Sequence, residues 1–173
     1  MQVKTRYILV SVVVLLLSIF GWQRIAHLTP RRAVLTAHPG SSINEVLPVS
    51  SGDVVVFMPP NSGPLVSVVY MKDGILGWHS YSFGSVMLPS GTMNENSSFT
   101  FLPTGNQTFV MGVAYRPAVR VVFENGNRTL STNVGPASFW HLVVPYPISN
   151  LQGSQWNLVM RDGTRLPLLG SSS

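Results

Sequence analysis

A run of sixteen uncharged, mostly apolar residues constrains this chain more than any other feature. It extends from Tyr7 to Trp22 (YILVSVVVLLLSIFGW), and Lys4 and Arg6 precede it. As an α-helix this run would be about 24 Å long, whereas the hydrocarbon core of a bilayer is about 30 Å thick. Extension of the helix to Leu28 closes the difference if the Arg24 side chain reaches outward to the headgroups. We therefore expect a transmembrane anchor over residues 7–28.

The ends of the run favour an anchor that stays in the membrane. Aromatic side chains prefer the interface between lipid and water, and the run has one at each end. The residues expected to contact lipid include Tyr7, Leu15, Leu16, Leu17, Phe20 and Trp22. The following residues, 21–26, read GWQRIA and lack the clean small-residue pattern of a signal-peptide cleavage site. A cleaved signal peptide and a buried helix of a soluble protein remain the alternatives.

Basic residues on both sides of the run leave the orientation nearly balanced under the positive-inside rule. A short cytoplasmic tail, residues 1–6, and a larger β-rich domain favour an extracytoplasmic C-terminal side, that is, a single-pass protein of the cell membrane. Residues 29–42 contain proline, arginine and histidine without a sustained helical stripe and are interpreted as a stalk. Residues 43–170 are expected to form one β-domain, and the serines at 171–173 a disordered tail.

The positive charge lies beside the apolar run and not on the domain. The formal net charge is +5, but from Ala33 onward six basic residues balance six acidic ones. A surface that follows nucleic-acid phosphates needs clustered charge on the folded domain. We therefore expect no nucleic-acid partner, and we expect the basic flank to contact anionic membrane lipid.

Glycine-containing turns and β-branched runs dominate the rest of the chain. Asp73-Gly74, Asn125-Gly126 and Asp162-Gly163 are dipeptides typical of hairpin turns. The predicted strands cover residues 53–58, 65–72, 75–83, 97–102, 108–115, 118–124, 127–132, 139–144, 156–160 and 164–168. This pattern predicts a mainly β fold after the helix: an antiparallel β-sandwich or partial barrel, with an immunoglobulin-like arrangement as one form.

No set of residues indicates catalysis. The chain has no cysteine, no G-x-S-x-G motif and no glycine-rich phosphate loop. His79 and His141 each follow a tryptophan in a predicted strand, so each should point away from the core if its neighbour points inward. A metal site would need three or four convergent ligands. We therefore expect no enzymatic activity, no cofactor and no metal.

Aromatic residues offer a tentative contact surface for a ligand or partner. Trp78, Tyr81 and Trp140 are the candidates, and core packing is the alternative use of such side chains. The expected function is that of a non-enzymatic interaction, accessory or sensory protein of the cell envelope, with an envelope protein or a cell-wall component as partner. The alternative is a small-ligand or glycan-binding module with an aromatic-lined pocket.

The order of short motifs is similar to that of a known group. The sequence has LGWHSY at 76–81, FVMGVA at 109–114 followed by Arg116-Pro117, Phe139-Trp140, and a closing Asp162-Gly163 turn. This order resembles a group of small, single-pass, uncharacterised extracytoplasmic proteins of Firmicutes. In that group an LLGWKW segment leads to an FGVI-x-x-P-x-I joint, an FWY strand and a closing DG hairpin. The resemblance implies an extracytoplasmic location and a β fold, and it carries no catalytic residues.

Overall fold

A computed structural model describes residues 2–89, 95–151 and 155–168, without the side chains of residues 2–7 and 9. The predicted tail at 171–173 lies outside these residues. The helices are α1 (Gln2–Ala26) and α2 (Pro30–Ala37). The strands are β1 (Ser42–Val49), β2 (Gly52–Met58), β3 (Leu65–Gly74), β4 (Gly77–Met87), β5 (Ser97–Pro103), β6 (Thr108–Ala114), β7 (Ala118–Asn125), β8 (Arg128–Asn133), β9 (Phe139–Val144), β10 (Gln155–Met160) and β11 (Arg165–Pro167).

The fold after α1 is mainly β, as the sequence predicts. Within the described residues the strands form three antiparallel sheets. The first sheet has the order β1-β2-β3-β4, the central sheet β5-β6-β9, and the third sheet β11-β10-β7-β8. Consecutive strands are neighbours in the first sheet because short connections join them. In contrast, β9 and β10 pair with strands that lie much earlier in the chain.

The central sheet is buried on both faces. All seven residues of β6 are buried. Because side chains alternate along a strand, Phe109, Met111 and Val113 pack against the first sheet, in one core. Val110 and Ala114 point the opposite way and pack against the third sheet, in a second core. The central sheet therefore joins these two hydrophobic cores.

A glycine lets a tryptophan lie flat on the central sheet. Gly112 of β6 faces Trp140 of β9 in the strand register. A Cβ on Gly112 would lie 2.4 Å from the Cζ2 atom of Trp140, so a side chain there would displace the indole. The Trp140 ring is 2% exposed and contacts the Phe99 and Trp156 rings. The missing side chain at residue 112 thus makes space in the second core.

Helix α2 corrects the interpretation of residues 29–42 as a stalk. Thr29 caps the helix by accepting a hydrogen bond from the Arg32 N–H (3.2 Å), and Pro30 occupies the first turn, where a missing N–H costs nothing. Ala33 and Val34 are each 2% exposed, and they pack on the outer face of the first sheet. The sequence shows no stripe here because a helix of eight residues buries only these two.

Most predicted strands are confirmed, with two corrections near the start of the domain. Strand β1 was not predicted. The turn predicted at Asp73-Gly74 is wrong, because both residues belong to β3 and the turn consists of Ile75 and Leu76. The positive φ that this hairpin needs (+97°) falls on Gly77. The turn at Asp162-Gly163 is confirmed, whereas the turn predicted at Asn125-Gly126 lies one residue later, because Asn125 ends β7 and the turn consists of Gly126 and Asn127.

The central position of β6 predicts an unequal cost for two phenylalanine truncations. Phe109 is fully buried in β6, whereas Phe83 on β4 is 58% exposed. We expect Phe109→Ala to lower the free energy of unfolding by about 3–5 kcal/mol, and Phe83→Ala to lower it by less than about 1 kcal/mol. Urea titration of the detergent-solubilised protein, followed by tryptophan fluorescence, measures both. Equal losses would contradict the central role of β6.

Candidate functional site

Helix α1 presents an apolar surface that the described part of the domain does not cover. Every described side chain from Val10 to Ile25 is exposed. Among the predicted anchor residues, the exposed fraction ranges from 52% at Phe20 to 74% at Trp22. Leu15, Leu16 and Leu17 lie between these values. Tyr7 belongs to α1, but its side chain is not among those described.

The two helices meet at a sharp bend. Within the described residues no single helix combines the length and hydropathy expected of a membrane span. Val10–Ala26 and Pro30–Ala37 meet those criteria only as a pair, bent by 107°.

The end of α1 is bonded to the β3–β4 hairpin, and we call this contact the junction. The Trp78 N–H donates to the His27 carbonyl oxygen (2.9 Å), and His27 Nδ1–H donates back to the Trp78 carbonyl oxygen (3.0 Å). One turn earlier in α1, Arg24 Nη1 donates to the Gly74 carbonyl oxygen (2.7 Å) and pairs with Asp73 Oδ1 (3.2 Å). Arg24 therefore contacts the domain, and His27 is half-buried.

Gly77 permits this close approach. A Cβ on Gly77 would lie 2.4 Å from the His27 carbonyl oxygen, and its φ of +97° is one that side-chain-bearing residues rarely adopt. The Asp73-Gly74 dipeptide predicts a hairpin here, but it places the turn two residues too early. The contact with His27 was not predictable from spacing, because 50 residues separate the two.

A second feature is a cavity of about 340 Å³ where edge strands of all three sheets approach one another, which we call the central cleft. Its volume is within the range of small-molecule sites. Strands β1, β8 and β9 are each at the edge of a sheet. Its lining residues are Asn44, Glu45, Val56, Met111, Thr132, Asn133, Gly135, Pro136, Phe139, Trp140 and His141. The wall thus combines one carboxylate, an imidazole and amides with apolar and aromatic surface.

Two backbone irregularities shape the central cleft. The β1–β2 register shifts between Ile43 and Glu45, so that Asn44 is an extra residue on the edge strand. Ala137 and Ser138, between the lining residues Pro136 and Phe139, adopt left-handed φ values of 54° and 64°. Each such residue costs of order 1–3 kcal/mol, and both bulges and strained residues are enriched at functional sites.

The three tentative contact residues are not gathered in one place. Trp78 is half-buried beside α2 and lines a separate hollow with Gln23 and His27. Tyr81 is 60% exposed, and Lys72 Nζ lies 4.4 Å from its ring centroid. Trp140 lines the central cleft from its buried position. The other residues that line the cleft were not predicted from the sequence, because they come from strands that are distant from one another in the chain.

The polar groups follow the expected strand geometry. His79 and His141 are exposed while their tryptophan neighbours turn inward, as predicted from strand alternation. In the described part of the chain, no three His, Asp or Glu side chains are close enough to hold a metal ion. Burial raises the pKa of Asp53, and the Thr164 N–H that bonds Asp162 lowers the pKa of that carboxyl. Neither acid lines the cleft.

The junction predicts a selective effect of Gly77→Ala. The new methyl group would collide with the His27 carbonyl oxygen, so we expect the two hydrogen bonds between His27 and Trp78 to break. Hydrogen exchange at the Trp78 amide and proteolysis near residue 28 should both accelerate. Gly63→Ala is the matched control, because Gly63 also has a positive φ (+61°) but open space around it. If both variants behave alike, backbone strain and not the junction is responsible.

Comparison with protein-family models, curated proteins and solved structures finds no match to this chain. The resemblance to the Firmicutes group therefore stays a prediction.

Proposed function

We propose that this is a single-pass membrane protein that holds a non-enzymatic β-domain on the extracytoplasmic surface, where the domain binds an envelope component. The exposure of α1 carries the proposal. Its described large apolar side chains between Ile8 and Ile25 are 46–74% exposed, so the described part of the protein leaves them open to the surroundings. Lipid supplies the missing apolar contact, and a helix satisfies its own backbone hydrogen bonds there.

The free energy at stake is large. Twelve large apolar side chains of α1 are exposed: Ile8, Val10, Val12, Val13, Val14, Leu15, Leu16, Leu17, Ile19, Phe20, Trp22 and Ile25. Removal of each from water contributes roughly 1.5–3 kcal/mol, so together they favour a lipid environment by on the order of 20 kcal/mol. An isolated helix in water would not retain such a surface.

The junction supports an anchor that is retained after synthesis. Cleavage just after Trp22 would cut α1 within the helix, directly before the residues Arg24 and His27 that bond to the hairpin. The chain then continues into α2, whose Ala33 and Val34 are part of a hydrophobic cluster. The anchor and the domain thus form a continuous bonded structure, which favours the anchor over the signal-peptide alternative.

We interpret the stacked sheets as a β-sandwich with an additional layer. This interpretation agrees with the location and fold that the Firmicutes resemblance implies. An interaction role suits a domain whose acidic and basic residues balance and whose exposed edge strands offer backbone hydrogen bonds to a partner.

An integral anchor predicts resistance of the protein to extraction from the membrane. The wild-type protein should remain in the pellet after washing with high salt and alkaline carbonate. Leu16→Arg places a charge at the middle of the run and costs about 2.5–3.5 kcal/mol of insertion free energy. We expect a measurable soluble fraction for this variant and none for Val119→Arg, a matched change on the domain surface. Release of the wild-type protein by carbonate would refute the integral anchor.

The central cleft favours a second candidate function, the binding of a small ligand or glycan. Its volume and mixed lining fit such a ligand, and Trp140 lines it. Because Trp140 is 2% exposed, its ring face is not open to stacking. Recognition would therefore use Glu45, His141 and the amides, with Phe139 as the apolar wall.

One experiment can measure both the side of the membrane on which the domain lies and the occupancy of the central cleft. Asn133 lines the cleft, whereas Asn127 lies in the turn at the opposite end of the β7–β8 hairpin, and the chain contains no cysteine. Asn127→Cys should react with a membrane-impermeant maleimide in intact cells, because the domain faces outward. Asn133→Cys should react more slowly in cells than in the purified protein, because an envelope component occupies the cleft.

The reaction of residue 127 tests the location of the domain, and the reaction of residue 133 tests the occupancy of the cleft, so each claim can be contradicted independently. If Asn127→Cys reacts only after lysis, the extracytoplasmic location is wrong. If the ratio of the two rates is the same in cells and in purified protein, the cleft is empty in the envelope.

A further inference from the structure

We propose that the turn of the β3–β4 hairpin is a second point of contact with the bilayer that α1 enters. This inference rests on the proposed anchor and adds that the domain itself touches the membrane. The turn consists of Ile75 and Leu76, which are 87% and 44% exposed. Both side chains are apolar, and at the tip of a hairpin they are removed from water only if another surface covers them.

The tip lies at the level where the anchor leaves the lipid. The junction joins Trp78 to His27 and, further toward the tip, Gly74 to Arg24. The hairpin therefore runs beside the last turn of α1, back toward the uncharged run. Ile75 and Gln23 line the same hollow, and Gln23 directly follows Trp22, the last residue of the run.

The charges around the tip are compatible with lipid headgroups. Asp73 lies next to the tip, and a free carboxylate there would be repelled by anionic lipid. Arg24 pairs with it at 3.2 Å and removes that repulsion. Arg31 and Arg32 are exposed on α2 and add positive charge on the same side of the domain.

The bend between the helices extends this surface. Because α2 is inclined by 107° to α1, it lies close to the membrane plane when α1 stands near the membrane normal. Leu35 of α2 is 37% exposed and lines a hollow with Trp22, Ile25 and Arg32. The side of the domain that faces the anchor thus presents apolar side chains next to arginines, which is the composition of interfacial membrane contacts.

Contact of the membrane with both α1 and the hairpin tip would fix the orientation of the domain, which contact through α1 alone would not. A single helix joined by a loose segment would let the domain swing, whereas a tip held in the interface beside α1 limits tilt. The central cleft would then be held in a constant orientation relative to the membrane.

Fluorescent labels at single cysteines test the contact, since the natural chain has none. Full-length Ile75→Cys, Leu76→Cys, Leu16→Cys and Asn127→Cys variants would carry an environment-sensitive nitrobenzoxadiazole label. Each is reconstituted at low protein-to-lipid ratio into phosphatidylcholine–phosphatidylglycerol vesicles, with circular dichroism as the check on folding. We expect the fluorescence emission of labels at residues 75 and 76 to be shifted to the blue relative to that of the label at residue 127. Their fluorescence intensity should fall when the vesicles contain lipids that carry a nitroxide near the headgroup. Residue 127 should respond only to an aqueous quencher.

The remaining outcomes overturn the proposal. If labels at 75, 76 and 127 behave alike, the tip is in water. If the tip labels are shielded from the aqueous quencher but unaffected by lipid nitroxides, a protein surface covers them. Leu16→Cys separates this from failure of the anchor: quenching by nitroxides deep in the bilayer confirms insertion, and its absence refutes both the anchor and the tip contact.

Discussion

The burial of the central sheet on both faces is the constraint on which the rest of the domain depends. Strand β6 supplies side chains to two cores, and each core joins the central sheet to one of the other two sheets. A chain without disulfides has no covalent substitute for this packing. The indole of Trp140 over Gly112 shows how little free volume the arrangement leaves.

The first sheet transmits this packing toward the helices. Its inner face belongs to the core shared with the central sheet, and its outer face carries Val55 and Phe57, on which α2 packs. Trp78 belongs to the same outer cluster and bonds to His27. The hydrophobic interior therefore connects to the end of α1 through a short series of contacts, and α1 and the domain should move as one body.

The central cleft arises where regular pairing stops. Strands β1, β8 and β9 each have one neighbour, so one edge of each carries backbone groups that no adjacent strand uses. The bulge at Asn44 and the left-handed pair Ala137–Ser138 bend two of its walls. A cleft of this kind can change its lining without loss of either core, which is why binding functions are often found at such positions.

Much of the secondary structure could be predicted, because it depends on short-range patterns. Nine of the eleven strands agree closely with β-branched runs, and the tryptophan–histidine pairs alternate as a strand requires. The sequence of β6 shows no alternation of apolar and polar residues, which is typical of a strand that is covered on both faces. Helix α2 could not be predicted, since its two buried residues have meaning only once the outer face of β2 is present.

The sequence by itself determined the long apolar helix, the mainly β character of the domain and the neutral charge of residues 33–173, since each is a property of adjacent residues or of composition. Tertiary structure alone decided that Arg24 and His27 bond to the hairpin, that Ile75 and Leu76 form an exposed tip beside α1, and that residues from three sheets line one cleft. These features join residues about 50 or more positions apart, and such contacts depend on how sheets stack, which no local pattern records.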